Sequence, residues 1–431
     1  MEKVRNQGRL ERTAGIERVV APILFLGPLV TAAAPRLTWL FLFLAVLALI
    51  GLYLRRGEDW RRLVRPATPA IPVLLVAAYV LLGVFWAAKP GAAIEKSLTL
   101  LAVGIAVLAA SRTIAELDEA RLARAARAIA AGSFLGAGFV LTEFLTDGAI
   151  TRFAANTVGW LKPLREKHAD IVDGKIVSFD PAEFRRGAAL LVFNLWPALL
   201  AVTVAVRRKL RAIFISLLVA AVAAPILYSD RMSSQLALVS SLLVFGLAHL
   251  WPRGMVRALA ALWCLGFVLV LPASFLAYKA ELHLAPWAPE AARARIIIWE
   301  FTATRVLQRP WLGIGAASTP ALKVPDAEAE QPADFVYPRT TGTHAHNLFL
   351  QTWYELGLIG VILVALAGAL LALRISLLPA EAQPFAAASF AAFLATVSAS
   401  WSMWQAWLIC GVGLMLLYLL IAARPVKAGA P

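Results

Sequence analysis

Two of the five histidines, His344 and His346, stand in the stretch TGTHAHNLFLQTWYELGLIG (341–360), directly before a long apolar run. A neutral imidazole there can accept a proton from a hydroxyl group. The positive end of the helix dipole that begins at this point disfavours imidazolium, which suits a general base. Two other roles fit the same residues. They can cap the helix or bond loop carbonyls, or they can open a zinc site, although neither a nearby Cys nor a clear third ligand accompanies them.

Arginines supply the complementary charge. Arg185 and Arg186 open an apolar run, Arg231 lies in the short turn LYSDRMSS, and Arg295 sits within PEAARARIIIWEFTATRVLQRP (289–310). A guanidinium stays charged at any relevant pH and binds phosphate oxygens in fixed geometry, so several around one cavity would hold a pyrophosphate. Arg185 and Arg186 serve equally well as interfacial anchors. Arg231 has only Asp230 nearby, and an arginine at that depth is costly unless used. Arg295 can also rest on Trp299, four residues on.

Missing motifs narrow the chemistry. No Asp-x-Asp occurs, the nearest approach being Asp170 with Asp173, so no metal is expected. There is no Walker loop, dinucleotide fingerprint or G-x-S-x-G elbow, which weighs against nucleotide-powered and acyl-transfer chemistry, and no cofactor is expected. Cys264 and Cys410 both lie in apolar runs and provide neither a disulfide framework nor a cysteine-rich metal site.

Membrane helices must position these residues. The 431-residue chain is 61% hydrophobic and 16% charged, with a mean hydropathy of +0.75, more apolar surface than a water-soluble fold can bury. A spanning helix needs about 20 apolar residues. Such stretches lie near 19–35, 37–54, 70–88, 94–111, 125–145, 187–206, 212–228, 232–250, 257–277, 346–373, 385–401 and 404–422. The sequence therefore predicts an all-α integral membrane protein of about twelve transmembrane helices.

The net charge of +15 lies mostly in short clusters between apolar runs, a membrane-topology pattern and not a nucleic-acid footprint. Arg55, Arg56, Arg61, Arg62 and Arg65, then Arg112 to Arg127, then Arg207 to Arg211, mark one side as cytoplasmic; the opposite short connections hold only Arg36, Lys89, Lys96 and Arg231. Both termini are expected on the cytoplasmic side. Residues 1–18 read as a cytoplasmic tail without a signal peptide and 423–431 as a second tail. Helices one to nine fill 19–277, with a long outer loop at 146–186. A second outer loop at 278–345 carries an interfacial helix, and helices ten to twelve fill 346–422. Within 289–310, Ile297, Trp299, Phe301, Val306 and Leu307 form an apolar face beside Arg295, Arg305 and Arg309. The run from His346 to Leu373 would measure about 42 Å as a helix against a hydrocarbon core of about 30 Å, so His346 is expected at or just above the outer interface.

The run His346-Asn347, nine residues, Gly357, two residues, Gly360 resembles the signature of the bacterial O-antigen ligases (WaaL) and of the wider O-antigen ligase/polymerase superfamily, which includes protein O-oligosaccharyltransferases. Arg295-x-x-x-Trp299, the PWLGIG of Pro310 to Gly315, and Arg231 in its turn are similar to the same regions of that superfamily. One of Arg185 or Arg186 resembles its arginine at the end of the preceding outer loop. The resemblance implies a GT-C-like glycosyltransferase architecture at the periplasmic face of the bacterial inner membrane. It implies transfer of a preassembled glycan from undecaprenyl pyrophosphate to a sugar hydroxyl of lipid A–core oligosaccharide, by metal-free inverting displacement. His346 would be the base, and Arg231, Arg295 and Arg185 or Arg186 would neutralise the leaving pyrophosphate. His344, Asn347, Trp299 and Arg305 are expected to contact substrate.

A polymerase or protein O-oligosaccharyltransferase would use the same donor; a chain ending shortly after the last apolar run favours the ligase. A transporter or lipid flippase of twelve spans is the alternative from another class, disfavoured because no internal repeat is visible and the long connections fall after spans five and nine. The sequence sets no oligomeric state.

Overall fold

The computed structural model describes residues 19–64, 71–158, 169–179, 184–228, 232–322 and 341–426. Fifteen helices are found among them. In chain order they are α1 (Val19–Ala33), α2 (Thr38–Arg55), α3 (Arg61–Val64), α4 (Ile71–Leu82), α5 (Pro90–Ala115), α6 (Glu119–Leu145), α7 (Ala149–Thr157), α8 (Arg185–Ala205), α9 (Arg208–Tyr228), α10 (Met232–Leu250), α11 (Pro252–Lys279), α12 (Glu290–Val306), α13 (Leu348–Leu373), α14 (Gln383–Ala399) and α15 (Ala406–Val426). Ten are long and apolar enough to cross a membrane, and the shorter apolar segments Val19–Ala33 and Ile71–Phe85 complete the twelve apolar stretches read from sequence. Large apolar side chains such as Leu47, Leu243, Val268 and Ile362 point outward, an arrangement stable only in a lipid surround. The protein is an all-α integral membrane protein.

Local chemistry sets the helix starts. Proline stands in the first turn of α5 and α11, where its missing N–H costs nothing. Asp118 caps α6 by accepting from the Arg121 amide at 2.9 Å. At the centre stands α8, whose Phe193, Trp196, Leu199 and Val202 are all buried; it packs on α6, α9, α14 and α15. Around it α10 pairs with α14, and α11 with α13.

The described residues of the two long connections include helices and a hairpin. In the first, α7 packs on a hairpin of β1 (Ala169–Val172) and β2 (Lys175–Phe179). Asp173 and Gly174, both at positive φ, form its two-residue turn, the arrangement an Asp-Gly pair favours. The Asn156 amide holds β2 by accepting from Ile176 N at 2.9 Å and donating to Ile176 O at 3.0 Å.

In the second connection, the helix expected over 289–310 is α12, packed on α11 and α13. Ile297, Phe301 and Val306 are buried as their spacing indicates, each contributing about 1.5–3 kcal/mol over exposure in water. Leu307 is 62% exposed, because the helix ends there; Arg293 and Ile298 are buried instead, and Trp299 is half-buried.

Candidate active site

Asn347 caps α13 by accepting from the Leu350 amide at 3.1 Å, which fixes where the helix begins and so where the histidines before it stand. His346 has a φ of 53°, a left-handed conformation uncommon outside glycine that turns its ring off the helix axis. Its Nδ1 lies 2.8 Å from the carbonyl oxygen of Ser400, in the link between α14 and α15. A carbonyl only accepts, so Nδ1 carries the hydrogen, and the neutral ring presents Nε2 as a proton acceptor.

His344 packs against it with ring centroids 4.0 Å apart, and Thr343 Oγ1 lies 3.1 Å from His344 Nδ1. Burial, the neighbouring His346 and the charge of Arg295 push His344 down to about 4, against a smaller opposing effect of the Ser400 carbonyl. Burial also lowers His346 below the ordinary histidine range; the Ser400 carbonyl opposes this and Arg295 reinforces it. Both rings are therefore neutral at neutral pH.

The partner of the histidine loop is α12. Trp299 Nε1 donates to Ala345 O at 2.8 Å, tying α12 to the peptide between the two histidines. Arg295, one turn earlier, is close enough that its charge is felt by both rings. Ten residues further along α12, Arg305 lies over the Phe301 ring, 5.1 Å from its centroid. That is about 15 Å from Arg295 along a helix rising about 1.5 Å per residue. Arg186 at the start of α8 lies over Trp401, 5.5 Å from the ring centroid, and so reaches the link that receives His346. Arg231 and the side chain of Arg185 lie outside the described residues.

A break in α13 shapes the floor. Gly357 has φ 63° and ψ −169°, a conformation essentially reserved for glycine, and it interrupts the helix. The freed backbone is filled by Pro310 to Gly315. Ile314 N donates to Tyr354 O at 3.1 Å, Gly315 N to Glu355 O at 2.9 Å, and Leu358 N to Pro310 O at 2.7 Å. Tyr79 Oη donates to Leu356 O at 2.7 Å. The fit needs glycine on both sides. A Cβ on Gly357 would stand 2.4 Å from the Trp311 carbonyl, and one on Gly313, also at positive φ, 2.5 Å from Glu355 C. Irregular backbone at membrane depth is tolerated where protein groups satisfy it in this way.

The break aims Glu355 inward. Its buried carboxylate accepts from Ala317 N at 2.8 Å, Thr319 N at 3.2 Å, Thr319 Oγ1 and Trp404 Nε1. Above it opens a cavity of about 420 Å3 lined in part by Arg36, Lys96, Arg186, Thr343, Gln351 and Trp404. Gln351 braces the 400–407 link, donating to Ser402 Oγ at 3.1 Å and accepting from Met403 N at 3.2 Å. Among the described residues no three His, Cys, Asp or Glu side chains group as a metal site.

Sequence reasoning placed the histidines, Arg295, Trp299 and Arg186 but missed the link SWSMWQAW (400–407) and the cations Arg36 and Lys96. Signals existed for both. Three tryptophans within seven residues interrupt the last two apolar runs, and Arg36 and Lys96 are among the few basic residues of the outer short connections. Nothing local marks Ala317 or Thr319.

Residues 217–365 match the family model described as O-antigen ligase. The chain is 33% identical over 141 residues to a Rickettsia conorii protein named "Putative polysaccharide ligase RC0486". It is 30% identical over 141 residues to a Rickettsia felis protein named "Putative polysaccharide ligase". Each alignment covers 32% of this chain and 33% of the relative, so the similarity spans about a third of each curated protein.

Proposed function

We propose, from the match of residues 217–365 to the O-antigen ligase family model and the similarity to two proteins named as putative polysaccharide ligases, that the chain is a member of the O-antigen ligase superfamily. In that role it transfers a preassembled glycan from undecaprenyl pyrophosphate to a sugar hydroxyl of lipid A–core oligosaccharide. The reaction is placed at the periplasmic face of the bacterial inner membrane, with both termini cytoplasmic. The observation that carries the reading is the bond from His346 Nδ1 to the Ser400 carbonyl, which leaves Nε2 as the basic atom of a ring that feels the charge of Arg295.

The acceptor hydroxyl attacks the anomeric carbon and gives its proton to His346 Nε2. The new bond forms on the face opposite the departing oxygen, and the lipid pyrophosphate leaves with the electrons of the broken C–O bond, so configuration inverts. Arg295, Arg186 and Arg231 offset the developing charge; one such preorganised donor is worth about 10²–10³ in rate. No metal takes part in this scheme. The α12 helix roofs the site and excludes water, which otherwise competes as acceptor.

Transport fits less well. Unwound membrane helices that carry ions offer free carbonyls, whereas Tyr354, Glu355 and Leu356 each already accept a hydrogen bond at the break.

The test uses purified full-length protein with lipid-linked glycan and, separately, lipid A–core, a second lipid-linked repeat or a pilin-like peptide. Elongation of lipid A–core, unchanged by EDTA, is the expected result. Elongation of the repeat or the peptide instead makes the enzyme a polymerase or a protein oligosaccharyltransferase, and loss of transfer in EDTA restored by Mg²⁺ overturns the metal-free step.

The pH profile gives a second test. The base works only when neutral, and burial depresses the His346 pKa below 6.5, so transfer should persist into mildly acidic buffer, with the half-maximal point of its acidic limb below pH 6.5. Arg295→Gln removes a cation that favours the neutral ring, so this limb should move to higher pH besides the rate falling. A limb that stays in place would mean that Arg295 does not act on the base.

A further inference from the structure

The cavity of about 420 Å3 approaches the histidine loop through Thr343 and Arg186, and its remaining lining takes no part in the displacement proposed at His346. Arg36, at the turn before α2, and Lys96, on α5, come from elements far from the histidine loop in sequence, yet both line the same 420 Å3 space. That volume falls within the range of about 300–1,000 Å3 typical of small-ligand sites. The Lys96 side chain is 18% exposed and meets Glu95 at 2.5 Å, a contact that uses one of its three donors. Among the described residues that line the cavity, Glu355 alone carries a carboxylate, and its oxygens accept from Ala317, Thr319 and Trp404. Among the described residues the cavity thus sets Arg36, Lys96 and Arg186 against the single carboxylate of Glu355.

The same wall carries Trp404 and Trp407, both buried, with Gln405 between them. Their indole N–H groups are tied to Glu355 and to Gln405 Oε1, so the small part of each that reaches the cavity, 4% and 6% exposed, is apolar ring. Ring surface beside hydroxyl and amide groups is the chemistry that accepts a sugar, whose C–H face stacks while its rim hydrogen-bonds. Guanidinium and ammonium groups next to it select an acidic substituent. We propose that this side of the cavity is the acceptor subsite, in which Trp404 and Trp407 carry a sugar ring and Arg36 and Lys96 bind a phosphate or carboxylate on that saccharide. The inference deepens the transfer reading above, on which it rests, and makes the acceptor an anionic glycan.

The probe is lipid A–core carrying its core phosphates, compared with the same material dephosphorylated, on full-length protein in lipid nanodiscs. In the double variant Arg36→Gln/Lys96→Gln, KM for the phosphorylated acceptor should rise about tenfold or more. The KM for lipid-linked donor and kcat should stay within twofold, and the variant should treat the two acceptors alike. A rise in donor KM instead would assign these cations to the donor pyrophosphate and overturn the proposal. Equilibrium binding separates this from the transfer reading itself. Phosphorylated core oligosaccharide should bind His346→Asn protein, which does not turn over, about tenfold more tightly than it binds the same protein also carrying Arg36→Gln/Lys96→Gln. Equal binding sinks the subsite even if transfer is observed. A tenfold difference sustains it as an anionic saccharide site even if lipid A–core proves not to be elongated.

Discussion

Replacing His346 with asparagine should reduce glycan transfer by about 10²–10⁴-fold, the usual share of a positioned general base, while leaving the fold intact. Asparagine is chosen for the backbone. His346 holds a φ of 53°, and asparagine enters the left-handed region more readily than most residues. Its side-chain N–H can still reach toward the Ser400 carbonyl that now accepts from Nδ1 at 2.8 Å. What it lacks is a second ring nitrogen with a free lone pair. Single-turnover transfer from lipid-linked donor, measured beside the thermal unfolding midpoint in detergent, separates the lost base from lost structure. A variant that folds normally and retains a third or more of the parental rate would move the base elsewhere, with His344, 4.0 Å away, as the next residue to test.

Replacing Gly357 with alanine should unfold much of the same site. The glycine has φ 63° and ψ −169°, where a side chain costs about 1–3 kcal/mol in strain. The new Cβ would also stand 2.4 Å from the carbonyl carbon and oxygen of Trp311 and 2.6 Å from Leu312 N. These are backbone atoms that cannot swing aside, so Pro310 to Gly315 would have to withdraw from the break. The bonds from Ile314 N and Gly315 N would go with it, at about 0.5–1.5 kcal/mol each. The sum is several kcal/mol, a large part of the about 5–15 kcal/mol that holds a typical domain. Yield after detergent extraction and the unfolding midpoint should both fall sharply. Gly138→Ala on α6, where a Cβ meets nothing within 4 Å, should change neither. A Gly357→Ala protein that melts with its parent would show that the break is dispensable.

Both predictions rest on residues that stand out in the linear sequence, yet the reason each matters is not visible there. The His346-Asn347 and Gly357/Gly360 spacing is legible because it is local; the glycine's partner, the PWLGIG segment, lies more than forty residues upstream and was recognisable only as a motif of unknown purpose. The hairpin over 169–179 was also legible, in the Asp173-Gly174 turn between β-branched residues. Asp170 and Asp173 enter the sequence reading only for their spacing as a metal motif, not for the turn that Asp173 opens.

The sequence by itself determined the membrane architecture. Twelve apolar runs of roughly bilayer length can satisfy their backbone groups in lipid only as helices, whatever their neighbours. It also determined that a histidine pair opens one of those helices and that Arg295 and Trp299 share a face of the helix before it. Tertiary structure decided which atoms meet. The Ser400 carbonyl that orients His346 lies 54 residues away, Trp404 reaches Glu355 across 49, and Arg36 before α2 and Lys96 on α5 join from the other end of the chain. Spans of similar apolar character can pack in many orders, because lipid-facing stretches look alike in composition. Only the close packing of one helix against another, with buried polar groups such as Glu355 and Gln351 finding partners, selects the arrangement that builds the cavity.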